Sequence, residues 1–341
     1  MRKRGPRFFY PVDARAARQT TGFLIGWRRC PDRPLPMNKI RGGLLINFQP
    51  VRLEDKALLN AYLQERRYEG SECNFTNFFM WQKPYRIEWA LSHNCLCIKA
   101  SHRGLTYMLA PFGREEQYEA ALAEMQSYFQ RQGLPFLLKL VTRGTAEVLA
   151  QLKPGAFVFR EDRDNYDYVY RAIDLCELKG RNYHRKRNHI KKFMEAYPDF
   201  EYRPLTADLV QACMENELEW CEKRECDEDP SLRCEKFAVM EALENFSALD
   251  YTGGLVLING KVEAFTLGER LNNDTAVIHV EKANPDIRGI YNVINQQYCR
   301  HNWREMAYIN REEDMGIAGL RMAKEAYYPV MMIEKYDITL R

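Results

Sequence analysis

The sequence predicts an α+β protein made of two lobes in tandem, each with a mixed, mostly antiparallel sheet flanked by helices. Three observations support this fold class. At 341 residues, the chain has the length of about two domains. Strand-like and helix-like patterns alternate through both halves. Residues 179–193, KGRNYHRKRNHIKKF, lie between the halves and contain seven Lys or Arg, two His and no acid.

The composition is that of an ordinary globular protein. Hydrophobic residues make up 46% of the chain, and 50 basic residues nearly balance 47 acidic ones. Apolar runs such as residues 134–141 are much shorter than the roughly 18 residues that span a bilayer. The 10 cysteines lack the paired spacing of a zinc site, so we expect reduced thiols and no bound metal.

Residues 1–36 differ in charge from the rest of the chain. Lys3 and eight Arg stand against only Asp13 and Asp32, which leaves the remaining residues mildly acidic. The apolar core of a signal peptide is missing from this stretch. We expect residues 1–44 to be a disordered tail or the product of an overlong translation start, with Met37 as the true beginning and a transit peptide as the alternative.

The first lobe is predicted over residues 45–178. Its strongest helix signal places Tyr118, Leu122, Met125 and Phe129 on one side. Alternating apolar residues indicate half-buried strands, and a short apolar run indicates a fully buried one. The other predicted elements are two short helices, one of them around 58–63, and strands near 85–91, 95–101, 105–112, 135–141 and 166–174.

The second lobe is predicted over residues 199–341. Thr206 is a plausible cap for its first helix, and a second helix follows near 236–249. Asn259 and Gly260 then join two strands, and this residue pair is a strong signal for a tight hairpin. The remaining predicted elements are strand 275–283, helix 291–303, strand 305–310, helix 316–328 and strand 330–338.

This order of elements resembles the Gcn5-related N-acetyltransferase (GNAT) fold. In that fold two neighbouring parallel strands splay apart, and the acyl donor lies in the gap between them. The counterparts here are residues 275–283 and 305–310. Because a fold does not fix a function, the residues around the gap must carry the functional argument.

Residues 179–198 are predicted to form a basic connecting helix. An apolar stripe of Tyr183, Ile190, Met194 and Tyr197 would dock it between the lobes. No acid lies between residues 179 and 194, so no ion pair four residues apart relieves the repulsion among its cations. A bound polyphosphate would relieve it. We therefore favour a site for nucleic acid or a phospholipid headgroup over a solvated linker.

Residues 309–329, INREEDMGIAGLRMAKEAYYP, form a second informative stretch. Glu312, Glu313 and Asp314 are expected where the splayed strands open, and carboxylates there suit an amine that must be held and deprotonated. In the alternative interpretation, Asp314 caps the next helix, while Arg311 and the two glutamates form surface ion pairs. Sequence alone does not separate the two.

Strand 275–283 supplies another candidate. Alternation puts His279 and Glu281 on the same face of the strand. We expect Glu281 to act in the site, and the alternative is a simple ion pair with Arg288. A lone histidine such as His279 is more often a satisfied core residue than a catalyst.

The two quoted stretches, with the preceding strand and hairpin, resemble the phosphatidylglycerol lysyltransferase C-terminal domain family over Leu45 to Arg341. The resemblance implies two GNAT-like lobes joined by the basic helix. It also implies transfer of an aminoacyl group from a charged tRNA to a lipid headgroup or another hydroxyl or amine acceptor. The ester is already activated, so neither a cofactor nor a covalent enzyme intermediate is implied.

The resemblance and the patterns described above together give the candidate site residues. The catalytic candidates are Glu281, Glu312, Glu313 and Asp314. The residues expected to bind phosphates or substrates are Arg181, Arg185, Lys186, Arg187, Lys191, Lys192, Arg288, Asn310, Arg311 and Lys324.

Two alternatives to this reaction stay open. An acyl-coenzyme A N-acyltransferase would hold pyrophosphate in a Q/R-x-x-G-x-G/A turn, but KANPDIRGIYNV contains only Arg288-Gly289 of that motif. A non-catalytic RNA-binding protein would need the basic helix alone. We expect a cytoplasmic protein, peripheral at the membrane if its acceptor is an anionic lipid, with a small molecule or peptide as the other acceptor.

Overall fold

The computed structural model describes residues 46–341, and the tail predicted at residues 1–44 lies outside them. The described residues form two mixed sheets with flanking helices, which confirms the predicted fold class. The strands are β1 (Gln49–Pro50), β2 (Glu88–Ser92), β3 (Cys95–His102), β4 (Leu105–Met108), β5 (Leu137–Thr142), β6 (Phe157–Glu161), β7 (Asp167–Arg171), β8 (Glu201–Pro204), β9 (Thr252–Ile258), β10 (Lys261–Arg270), β11 (Thr275–Ala283), β12 (Tyr308–Asn310), β13 (Met331–Ile333) and β14 (Lys335–Leu340). The helices are α1 (Lys56–Leu63), α2 (Phe75–Tyr85), α3 (Tyr118–Arg131), α4 (Arg143–Leu152), α5 (Ala172–Glu177), α6 (His184–Ala196), α7 (Val210–Arg224), α8 (Pro230–Glu244), α9 (Ile290–Asn302) and α10 (Ala318–Glu325).

Most helices form where the apolar pattern predicts them, but α2 does not, and α5 replaces the end of the strand that was predicted to reach residue 174. The side chain of Asn74 caps α2 by accepting a hydrogen bond from the backbone N–H of Asn77 (2.7 Å). Phe75, Phe78 and Phe79 are all buried, so the helix lacks the polar stripe that a periodicity search detects. Because α2 runs to Tyr85, the strand predicted at 85–91 begins only at Glu88.

The two sheets exchange strands between the predicted lobes. The first sheet has the order β1-β2-β3-β4-β5-β14-β6, and the second has the order β13-β7-β12-β11-β10-β9-β8. Strand β7 precedes the basic helix in sequence yet lies in the second sheet. The predicted last strand, 330–338, is in fact two strands, broken at Glu334, that belong to different sheets. A boundary at residue 178 therefore does not separate the two sheets.

A buried ionic cluster lies where the exchanged strands cross. The Lys335 ammonium on β14 lies 2.7 Å from Asp167 Oδ1 on β7 and 2.7 Å from Glu72 Oε2. The Ser71 backbone N–H and the Asn310 side-chain amide both donate to Asp167 Oδ2. Burial opposes a charged amine, but the two carboxylates raise the pKa of Lys335 well above its usual value. The cluster thus joins both sheets through one cation.

The gap predicted between two parallel strands is present. The parallel pairing of β11 with β12 ends at Val277 and Asn310, although β11 continues to Ala283. The last part of β11 pairs only with β10 on its other side. His279 and Glu281 lie in this last part, so they flank the opening between the two strands.

Helix α6 packs on α9 through an apolar stripe that differs at one position from the prediction. Tyr183, Ile190 and Phe193 are buried, whereas Met194 is 39% exposed. Both Phe193 and Met194 lie within one turn of Ile190, and contact with α9 selects Phe193. Lys191 also forms an ion pair at 3.7 Å with Glu195, which directly follows the stretch without acids.

Within residues 46–341, no helix is both long enough and apolar enough to cross a membrane.

We expect Lys335→Met to destabilise the protein by about 3 to 5 kcal/mol at neutral pH, because it leaves the carboxylates of Glu72 and Asp167 buried without a cation. The loss should shrink as the pH falls, since burial already raises the pKa of Glu72 and protonation removes one of the two charges. Urea unfolding across a pH series measures both effects. The control is Lys261→Met, an exposed lysine whose partner Glu219 has a side chain that is 44% exposed and whose loss should cost about 1 kcal/mol or less.

Candidate functional site

The turn after β12 supplies two side chains to the gap. Asn310 Oδ1 accepts a hydrogen bond from the backbone N–H of Glu312 (2.8 Å), and Glu312 takes a left-handed conformation with φ of 57°. The buried ammonium of Lys324 donates to the backbone carbonyls of Arg311 and Glu313. These bonds fix the turn, so that Arg311 and Glu312 reach across to β11.

His279 lies between two carboxylates. Its Nε2 is 3.0 Å from Glu269 Oε1, and its Nδ1 is 2.9 Å from Glu312 Oε1. Burial alone would lower the pKa of His279, but the two carboxylates raise it to about 9. The imidazole is therefore cationic at neutral pH, and both of its nitrogens donate. A protonated histidine cannot act as a base, and its two N–H groups bind Glu312 and Glu269.

Glu281 is held from two sides. Its Oε1 accepts from Arg311 Nη2 (3.0 Å), and its Oε2 accepts from Asn295 Nδ2 (2.9 Å) on α9. Arg311 Nη1 and Asn295 Oδ1 are also buried but have no hydrogen-bond partner among the described residues. The carboxylate is thus flanked by an unpartnered donor and an unpartnered acceptor, which is an uncommon arrangement for buried polar atoms.

The ring of Tyr327 contacts two cations. The Arg311 guanidinium is 4.9 Å from the ring centroid, and the Lys186 ammonium from α6 is 3.8 Å from it. Asn292 donates to the Tyr327 hydroxyl at 2.7 Å. Burial and the nearby charge of Arg311 lower the pKa of Lys186 to about 8. We call the side chains around this opening the gap cluster: Lys186, His279, Glu281, Asn295, Arg311, Glu312 and Tyr327.

Cations from α6 and from the loop before α9 converge beside the gap cluster. Burial lowers the pKa of His189, and the charges of Arg288, Lys186 and Lys192 lower it further. None of these three cations forms an ion pair with an acid within residues 46–341. In particular, Glu281 pairs with Arg311 and not with Arg288, which is exposed. The three charges form a local excess of positive potential.

Close contact between α6 and the start of α9 holds the cations of α6 near Arg288. Gly289 has φ of 90°, and a Cβ atom there would lie 2.6 Å from the His189 backbone oxygen. Only glycine satisfies both the conformation and the contact at low cost.

Several predicted site residues have structural partners instead. Asp314 is fully buried and accepts from Arg321, Arg163 and Tyr168. Although burial opposes its charge, Arg321 and Tyr168 hold the pKa of Asp314 well below its usual range. It accepts from the Gly316 backbone N–H in the turn before α10, so it is not the cap of that helix.

The remaining candidates are divided between structural and exposed positions. Arg187 donates to backbone carbonyls of Leu178 and Gly180, which fixes the loop before α6. A groove of about 460 Å³ between α6 and α9 is lined in part by Arg187 and Lys191, and it lies outside the gap cluster. Glu313 is half-buried next to the gap, and Arg181 and Arg185 are exposed at the start of α6.

Sequence reasoning missed Asn295, Tyr327 and Glu269. Asn295 and Tyr327 fall in helical or turn segments where nothing in the local pattern marks them. His279 was expected as a core residue, and the alternation along β11 was the available signal that it shares a face with Glu281. The pairing of Arg311 with Glu281 depends on the splayed strands, which bring together residues 30 positions apart.

Comparison with known proteins places the chain in a family. The family model described as phosphatidylglycerol lysyltransferase, C-terminal, matches residues 64–339. The chain belongs to this family. Family and fold together support an acyltransferase-like role and leave the particular reaction open.

Two of the solved structures that resemble the chain are from Bacteroides and Bacillus. A conserved protein of unknown function from Bacteroides thetaiotaomicron is 36% identical, with a TM-score of 0.82, over 87% of this chain and 100% of that one. L-PGS from Bacillus licheniformis is 13% identical, with a TM-score of 0.58, over 84% of this chain and 91% of that one. At 13% identity the second likeness shows the fold alone.

One curated relative is an uncharacterized protein of Mycoplasmoides gallisepticum. It is 25% identical over 175 residues, which cover 50% of this chain and 54% of that protein. The chain therefore spans about half the length of this curated relative.

We expect the free energy of unfolding to fall as the pH rises from about 6.5 to about 9, by at most about 3 kcal/mol from His279. Its folded pKa of about 9 exceeds the unfolded value of 6.5, so its contribution is complete below pH 6.5 and is lost as pH passes 9. Glu312→Gln should move the NMR titration midpoint of His279 downward, whereas Glu313→Gln should leave it in place. An unchanged midpoint in Glu312→Gln would contradict the assignment.

We expect Gly289→Ala to destabilise the protein by about 1 to 3 kcal/mol, because it adds strain at positive φ and a clash with α6. Gly144→Ala, in α4 with open space around it, is the matched control and should be neutral or stabilising by up to about 1 kcal/mol. Chemical denaturation of both variants measures the difference. Equal stability of the two variants would show that α6 is not tightly packed at Gly289.

Proposed function

We propose that this protein transfers an aminoacyl group from a charged tRNA to a hydroxyl or amine acceptor, with a lipid headgroup as the favoured acceptor. The observation that carries the proposal is the pair of unpartnered buried atoms beside Glu281. Arg311 Nη1 can donate a hydrogen bond and Asn295 Oδ1 can accept one. A ligand that satisfies both must present an acceptor and a donor close together.

An aminoacyl ester has this combination of groups. Its carbonyl oxygen accepts hydrogen bonds, and its α-ammonium donates them and carries positive charge. On this proposal Glu281 and Asn295 Oδ1 bind the ammonium, while Arg311 Nη1 donates to the carbonyl oxygen. A simple acetyl group has no ammonium and would leave the Asn295 oxygen without a partner, at a cost of about 1 to 3 kcal/mol.

On this proposal, the cations beside the gap cluster bind the tRNA part of the donor. Lys186, Lys192 and Arg288 surround His189 without acidic partners, and phosphates of a tRNA acceptor end would neutralise them. The family model and the GNAT-like fold support the choice of an acyl donor. Arg181, Arg185 and Lys191 stay candidates for additional phosphate contacts, and Glu313 stays a candidate carboxylate next to the gap.

The proposed chemistry needs no covalent enzyme intermediate. The acceptor oxygen or nitrogen attacks the ester carbonyl carbon, the bond from that carbon to the ribose oxygen breaks, and the acceptor proton ends on the ribose hydroxyl. Negative charge develops on the carbonyl oxygen in the transition state, next to the Arg311 guanidinium. Donors placed in advance at such a position accelerate acyl transfer by roughly 10²- to 10³-fold each.

We expect the triple variant Lys186→Ala, Lys192→Ala, Arg288→Ala to bind charged tRNA weakly and to lose about 2 to 3 units of the log–log salt slope. Fluorescence anisotropy across a salt series measures both quantities. The control removes three exposed cations elsewhere, Arg52, Arg160 and Arg171, and should change neither quantity much. Equal losses in the two triple variants would refute a local phosphate site, and coenzyme A thioesters would be the next donors to test.

We expect Glu281→Gln to lower transfer of labelled amino acid to phosphatidylglycerol by about 100-fold or more, while tRNA affinity stays close to that of the wild type. The reason is that Glu281 contacts the aminoacyl group and not the phosphates. Glu119→Gln, which changes an exposed glutamate on α3, is the isosteric control and should transfer like the wild type. Full transfer activity in Glu281→Gln would contradict a role of the gap cluster in transfer. If the wild type transferred the amino acid only to soluble amines, the acceptor would be such an amine and not a lipid.

A further inference from the structure

Helix α10 is amphipathic in the opposite sense to an ordinary surface helix. Its polar side faces inward, where Lys324 is buried and Arg321 binds Asp314 through two hydrogen bonds of 2.8 Å. Its outward side is formed mainly by exposed small or apolar residues, with one exposed acid, Glu325, among them. The small or apolar residues are Ala318, Gly319, Met322, Ala323 and Ala326. A helix at a water-facing surface normally directs its charges outward. The bonds of Arg321 and Lys324 explain why these charges face inward, but they do not explain why a large apolar side chain such as Met322 is exposed on the outward side.

The segments on either side of α10 continue the apolar surface. Met322 is 70% exposed, and five further large side chains are between 40% and 51% exposed: Met315, Ile317, Tyr328, Val330 and Met331. From residue 315 to residue 333 the only acid is Glu325. We call Met315, Ile317, Met322, Tyr328, Val330 and Met331 the α10 surface. Large exposed apolar side chains so concentrated in one segment indicate an interaction site.

Cations lie at the border of the α10 surface. The ring of Tyr183 packs edge-to-face on Tyr328 with centroids 5.7 Å apart, and the Tyr183 hydroxyl donates to the Tyr327 carbonyl at 3.0 Å. Arg181 and Arg185 are each two residues from Tyr183 and are exposed. Neither arginine pairs with an acid in the part of the chain that the structure describes. The surface therefore combines apolar side chains with a cationic border.

We propose that the α10 surface docks on an anionic lipid bilayer. Methionine, isoleucine, valine and tyrosine side chains can enter the headgroup and acyl boundary, and each nearby arginine gains about 1 kcal/mol from anionic lipid. A bilayer asks for no directional hydrogen bonds, and on the outward side of α10 only the Glu325 carboxylate could form them. A protein interface usually carries a polar rim with directional hydrogen bonds, so it fits this surface less well.

Docking would place the gap cluster next to lipid. Tyr327 lies in the gap cluster and Tyr328 in the α10 surface, so the two are neighbours in sequence. Lys324 links them further, because it lies on the inward side of α10 and holds the turn that carries Arg311 and Glu312. The use of this placement for a lipid acceptor rests on the proposed function, whereas the docking itself needs no turnover.

The experiment measures co-sedimentation of the full chain with vesicles of equimolar phosphatidylglycerol and phosphatidylcholine, and with pure phosphatidylcholine. The double variant Ile317→Glu, Met322→Glu should weaken binding to the anionic vesicles by about tenfold or more. Arg181→Glu with Arg185→Glu should remove the preference for anionic over neutral vesicles. The control is Phe237→Glu, which replaces a 58% exposed phenylalanine on α8 and should bind like the wild type.

The outcomes separate docking from catalysis. Wild-type vesicle binding by the Ile317→Glu, Met322→Glu variant, or equal loss in Phe237→Glu, would overturn the proposal. The proposal would also be overturned if the wild type did not bind vesicles and instead formed a dimer that the double variant converts to a monomer. Loss of transfer in Glu281→Gln with vesicle binding intact would support docking as a separate property, and circular dichroism checks that each variant is folded.

Discussion

The contact between the Lys335 ammonium and the Asp167 carboxylate connects the parts of this structure that form the candidate site. Lys335 belongs to the first sheet and Asp167 to the second, so their 2.7 Å contact joins the two. Asp167 also accepts from the side chain of Asn310, whose oxygen holds the backbone of Glu312. Glu312 in turn binds His279 on β11. A single buried cation thus supports the turn from which Arg311 reaches Glu281.

The sequence predicts individual elements well where one local pattern decides them. Both hairpin residues, Asn259 and Gly260, take positive φ, as the tight turn requires. The apolar side of α3 is buried as its spacing predicts. The exchange of β7 and β14 could not be predicted in this way, because alternation identifies a strand but not its partners. Helix α2 escaped detection because its aromatic side chains are buried without a contrasting polar stripe.

In the candidate site, too, the sequence predicts only the features that a local pattern decides. The direction of Glu281 follows from alternation, and the position of Arg311 after β12 follows from the order of elements. Which carboxylate binds which cation depends on distances across the gap, so Arg311 pairs with Glu281 while Asp314 pairs with Arg321. The inward charges of α10 are a similar case. A sequence pattern shows that a helix has two unlike sides, but it does not show which side meets water.

The position of β14 between β5 and β6 has a consequence for synthesis of the protein. Ribosomes make β14 after every other described strand, so the first sheet is open between β5 and β6 while the second lobe is being made. Exposed strand edges of this kind are prone to pairing with other chains. The first sheet therefore cannot close before β14 has been made. It closes only when the C-terminal segment has left the exit tunnel, and a nascent chain that stalls before this point would expose two unpaired edges to chaperones and proteases.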